Sequence, residues 1–301
     1  MRLSVEFVRL TGRLRASVID AGGSLKRRMH GIANDVRTIA DNLVTADSTA
    51  ARAVSRAEPD TPRLFGQSLH TGLPQNFTPD QVRSFPILDA DKKIIGVHFP
   101  SKLNDSRKPW IFTREGLEFV RKKYYQYTRE KRGWTRGRAF PAPWAGEETV
   151  FSHAHADKNG YYVQVGKKIP FTKWRRWVPT KIDGETFGLI EAANEHFKRA
   201  VKGAPTAHLI QMSCSPARGP VARESAASLH SAGIGSPVHA TENAYLWEND
   251  YSEDARPGSL QPAGDIITGH GSEVEIDEVG EPVKSPWSKY KESRQPPETD
   301  E

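Results

Sequence analysis

Over the first 58 residues apolar side chains recur at every third or fourth position. Leu3, Phe7, Leu10, Leu14, Val18, Ala21 and Leu25 form one run, and Met29, Ile32, Val36, Ile39, Leu43, Ala50 and Val54 form a second, sparser one. That period places each run on one face of a helix. Gly22-Gly23 separates them, and each glycine inside a helix costs about 1 kcal/mol relative to alanine. The pattern predicts a helical hairpin over 1–58. It ends at Glu58-Pro59, because the residue before proline avoids the helical region. Pro, Gly, Ser, Thr and Gln then dominate 59–85, which reads as a linker.

Beyond 85 the apolar runs shorten. Ile94–Phe99, Thr149–Ser152, Tyr161–Val165, His208–Met212 and Pro237–Ala240 read as strands bounded by polar residues, Gly or Pro. Thr113–Lys131 reads as a helix with Leu117, Val120, Tyr124 and Tyr127 on one face. Phe187, Ile190, Asn194, Phe197 and Val201 mark another, capped by Asp183, and Pro220–Ser231 a third, with Gly233 just past its end. Strands alternating with helices predict an α/β domain over 86–280, with a largely parallel sheet flanked by helices. Residues 281–301 are left as an acidic tail, expected to be disordered.

Composition narrows the partners. No apolar run in the 301 residues approaches the roughly 18 of a membrane span. Arg2, Glu6, Arg9 and Arg13 interrupt the N-terminus, so no secretory signal peptide is expected. The protein is therefore placed in the cytoplasm or on an export route that needs no such signal. The net charge of +6 hides an asymmetry: residues 250–301 carry 13 acidic and 5 basic side chains, a net of −8, which leaves +14 for the rest. Residues 121–138 hold 8 basic side chains and 1 acidic one among aromatics. They read as a helix that packs Tyr inward and extends Lys and Arg into water, so nucleic acid is not the expected partner. Cys214 is the one cysteine, which excludes an internal disulfide and any CxxC zinc site.

Two predicted strands end in reactive residues. Thr149–Ser152 runs into His153-Ala154-His155, and Leu209–Ser213 runs into Cys214. A thiol near neutral pH needs a base, and imidazole suits that task. In open α/β sheets such groups meet at the carboxyl ends of strands. A helix following Cys214 would further favour the thiolate.

A strand ending in small-His-small, about 60 residues, then an apolar strand ending in Cys resembles the caspase-like (clan CD) cysteine peptidase fold. Within it the chain is most similar to the "lonely Cys" domains of large bacterial secreted or toxin-like proteins. Ser152, His155-Ala156 and Gly160, then Leu209–Cys214, then Gly235–Thr241 carry the likeness. It implies a dyad with His155 as base and Cys214 as nucleophile, and backbone N–H groups near Ala156 and Cys214 as the oxyanion site. It also implies a peptide or protein substrate, self-cleavage included, and no cofactor. Ala156 stands where the family has glycine, and Pro216 removes a nearby donor. His153, two residues before His155 and on the same strand face, competes for the role of base.

Two other readings stand beside it. His153-x-His155-x-Asp157, with Gly269-His270-Gly271 later, resembles the zinc ligands of metallo-β-lactamase-type hydrolases, although Lys158 replaces the second-metal histidine. Alternatively the chain is a non-enzymatic, secreted or partner-binding protein with a degenerate site. Residues 1–58, through Ile39-Ala40-Asp41-Asn42-Leu43 and Ala46-Asp47, resemble the WXG-type hairpins of type VII secretion, which implies a secretion partner there.

Overall fold

The computed structural model describes residues 62–101, 108–131, 133–169, 171–172, 174–249 and 265–292. The hairpin expected over 1–58 lies outside them, as does the end of the expected tail. Among the described residues, no helix is long and apolar enough to cross a membrane.

Fifteen strands of the described residues form one mixed sheet. At its centre β4 (Ile94–Phe99), β8 (Thr149–Asp157), β11 (His208–Gln211) and β12 (Val238–Thr241) lie side by side and parallel, and β15 (Trp287–Tyr290) closes that edge antiparallel to β12. Crossover helices make the parallel pairing: α2 (Gly184–Ala193) and α3 (Glu195–Gly203) precede β11, and α4 (Val221–Ser231) joins β11 to β12. Beyond β4 the sheet continues through β3 (Phe85–Leu88), β5 (Trp110–Phe112), β14 (Asp265–Glu273), β6 (Lys123–Glu130) and β7 (Gly133–Pro141), with β13 (Tyr245–Asn249) on β14.

The α/β class holds, but the sheet is not largely parallel. Eight of the strand pairings are antiparallel and six parallel. The two-residue turn Lys158-Asn159 folds β8 straight back into β9 (Gly160–Lys168), and β10 (Arg175–Ile182) returns against β9. Hairpins of this kind need no crossover. The segment read as a linker adds another: β1 (Leu64–Ser68) and β2 (Pro74–Phe77) pair around a turn whose Gly72 has φ +69, and β1 extends the wing at β10. Pro and Gly there mark turns. Likewise β15 falls within the stretch read as a disordered tail, with Trp287 buried against the aromatic core.

Two helical expectations change. The helix starting at Thr113 is α1 (Arg114–Lys122), capped by the Thr113 hydroxyl, and the chain then becomes β6. A bulge between Tyr125 and Tyr127 lets Tyr124 and Tyr127 both face inward, which imitates helical spacing. Farther on, Asn194 divides one expected helix into two. It ends α2 and caps α3, its Oδ1 accepting from the N–H groups of His196 (2.9 Å) and Phe197 (3.2 Å).

Alternation along the central strands separates two cores. Val97, Val150, Ala154, Leu209 and Val238 meet Phe187, Ile190, Phe197 and Leu229 of the helices. The opposite face carries Ile95, Phe151, Ile210 and Met212 against Trp110, Phe112, Trp144 and Trp287. His153 follows Phe151 on this aromatic face.

Candidate active site

Ser152 of β8 pairs with Gln211 of β11, and the Met212 N–H continues the ladder to Ser152 O at 2.8 Å. His155 and Cys214 each lie three residues beyond that register pair. The chain then leaves the sheet: Ser213 N–H donates to Gln211 O (3.0 Å) and Ser215 N–H to Asn243 O (2.9 Å). Among the described residues the Cys214 N–H has no backbone acceptor. Ser215 sits in the left-handed region (φ 56°, ψ 24°), a conformation that costs a non-glycine residue about 1–3 kcal/mol and recurs at functional turns. The turn is held from outside by Gly219, where a Cβ would come within 1.9 Å of Lys158 O. The loop after Cys214 therefore rests on the hairpin that carries the histidines.

A cavity of about 210 Å³ opens between the two strand ends. His153, Ala154, His155, Met212, Cys214, Tyr245, Leu246 and Trp247 line it. Cys214 is half-buried, and its Sγ donates to Tyr245 O and accepts from Tyr245 N–H, both at 3.4 Å. Burial pushes the thiol pKa up and the Tyr245 amide offsets only part of this, so the resting group is a thiol. The helix dipole does not change that. Only a three-residue 3₁₀ turn, Pro216–Arg218, follows directly, and α4 starts seven residues away, beyond the reach of a terminal dipole.

The two histidines separate in role. His153 is 3% exposed, with Trp110 and Trp247 ring centroids 4.4 and 4.6 Å from its own, and its Nδ1 is 2.9 Å from His98 Nδ1. Burial, then His98 and His155, hold it well below the usual imidazole pKa, so it is neutral. One proton between the two Nδ1 atoms makes one the donor and the other the acceptor. His155 is half-exposed and lines the cavity, its ring edge-on to His153 at 5.5 Å. Ala156 is buried in the ladder opposite Tyr161.

The zinc ligands suggested by spacing do not converge. Burial would raise the Asp157 pKa, but hydrogen bonds from Tyr162 OH (2.5 Å) and Asn159 N–H (2.7 Å), with Lys181 at 3.9 Å, hold it down. His270 sits in the aromatic core, with Nε2 2.9 Å from Lys123 O and Nδ1 3.3 Å from Tyr245 OH. Among the described residues no group of three or more His, Cys, Asp or Glu is arranged to hold a metal.

A buried polar network braces the register pair from the helical face. Glu191 of α2 accepts from Gln211 Nε2 (3.2 Å) and Ser225 Oγ (3.3 Å), and Gln211 Oε1 accepts from Tyr161 OH (2.9 Å). Burial raises the Glu191 carboxyl to about 7 against the lowering effect of Ser152, Gln211 and Ser225.

Spacing alone missed His98, Trp110, Tyr245 and Trp247, which come from strands remote in sequence. The basic stretch 121–138 ends α1 and forms the β6–β7 hairpin. There Arg136 binds Glu248 and Arg138 binds Glu281. No protein family, curated protein or solved structure matches this chain.

Proposed function

We propose that the chain is a cysteine peptidase-like hydrolase, of the caspase-like kind its motifs resemble, using Cys214 as nucleophile and His155 as base. The observation that supports this reading is the shared cavity: both side chains line it from the carboxyl ends of two adjacent, parallel, in-register strands. His155 takes the thiol proton as Sγ attacks the acyl carbon of an amide. The C–N bond breaks, the amine leaves with that proton, and water hydrolyses the thioester to acid and thiol. The Cys214 N–H would donate to the oxyanion. His153, buried and paired with His98, holds the wall beside the base. A peptide or protein is the substrate class, and self-cleavage is one form of it.

One observation favours the non-enzymatic reading. The thiol both donates to and accepts from the Tyr245 backbone, as a structural cysteine would. Alkylation with iodoacetamide separates the two. The peptidase reading expects labelling of Cys214 in native protein, slowed in His155→Ala. Labelling confined to denatured protein rejects it.

A further inference from the structure

The cavity beside Cys214 carries information about what would be cleaved. Its walls are Met212, Tyr245, Leu246 and Trp247 with the two histidines, and among the described residues no Asp, Glu, Lys or Arg lines it. The nearest acid along β13, Glu248, is turned to other work: its Oε1 accepts from Tyr127 OH (2.7 Å) and from Arg136 Nη1 (2.9 Å). Burying an ionised side chain without a partner costs far more than burying a hydrocarbon gains. At about 210 Å³ the space is smaller than the roughly 300–1,000 Å³ that holds a drug-sized ligand. It fits one side chain.

We infer that the site acts on acyl groups whose own residue carries an uncharged, apolar side chain of about the size of Leu or Phe, seated between Leu246, Trp247 and Met212. This rests on the reading of Cys214 as nucleophile. Acidic and basic side chains are rejected because the described walls of the pocket offer them no carboxylate, ammonium or guanidinium partner. Aromatic ones gain offset or edge contact with Tyr245 and Trp247.

Acyloxymethyl ketones bearing Phe, Leu, Asp or Arg test it on the full chain. In each, Cys214 Sγ bonds to the methylene carbon, the carboxylate leaves with the bonding pair, and the thiol proton passes to His155. Rates are divided by the iodoacetamide rate of the same protein, so that presentation of the thiol cancels. The Phe and Leu ketones should then react at least about tenfold faster than the Asp and Arg ones. Leu246→Lys should shift the preference toward Asp, and Leu246→Asp toward Arg, each checked for a cooperative melt. His155-dependent iodoacetamide labelling with equal ketone rates overturns the substrate inference and leaves the dyad standing. No labelling of native protein by any reagent overturns both.

Discussion

His155 and Cys214 line one cavity, each three residues beyond the Ser152–Gln211 pair that joins β8 to β11. Ladder geometry sets the level of His155, and the turn that leaves the sheet after Met212, held by Gly219 against Lys158, sets that of Cys214. His155→Ala should slow alkylation of Cys214 by about 10²-fold or more with the thermal midpoint unchanged, because the side chain is half-exposed. His153→Ala should instead lower stability by about 1–3 kcal/mol. It removes a partner of His98 and opens space beside Trp110 and Trp247. Denaturant unfolding and alkylation rates, measured on both variants, check the split. Equal effects of the two on rate would contradict it.

The contact of Gly219 with the Lys158 carbonyl leaves no room for a methyl group. Gly219→Ala should cost about 1–3 kcal/mol and change the alkylation rate of Cys214, since it pushes the thiol-bearing loop off the histidine hairpin. Unfolding curves and labelling of the same sample test both parts.

Glu191 gives stability a defined pH dependence. Its carboxyl is raised in the folded chain to about 7 from 4.5. Between these values the native state keeps a proton that the unfolded chain has released. Stability from this group is therefore full below about pH 4.5 and falls as pH rises toward 7, by an amount of order 2–3 kcal/mol. His270, lowered by burial to about 4, acts in the opposite sense, since unfolding takes up its proton below the usual imidazole pKa. Comparison with Glu191→Gln isolates the acid. The variant should gain on the native chain between pH 4.5 and 7.5, and parallel pH profiles would contradict the assignment.

Prolonged dialysis against a chelator should leave the alkylation rate and thermal midpoint unchanged. A loss of either, restored by zinc, would return His153, His155 and Asp157 to a ligand role.

What was legible in the sequence follows from how local each signal is. The strands carrying His155 and Cys214 were readable because apolar runs stop abruptly at small or polar residues, and their adjacency followed from the crossover helices between them. The antiparallel wing was not, since β1 and β2 are short and carry few apolar residues, and gain their place only by pairing with each other and, through β1, with β10. Tyr124 and Tyr127 misled by sitting on either side of a bulge, and Asn194 by fitting a helical period while serving as a cap. His98, Trp110 and Trp247 reach the site through pairings β4–β8, β3–β5 and β13–β14, which no short window records.

The pH dependence of Cys214 alkylation in native protein and in His155→Ala tests the dyad most directly. Burial raises this thiol, so without a base its reactivity should rise only above the ordinary thiol value of about 8.5. With His155 acting on it, the native chain should show an inflection below that value, lost in His155→Ala. Superimposable profiles, both rising only at high pH, would contradict the account.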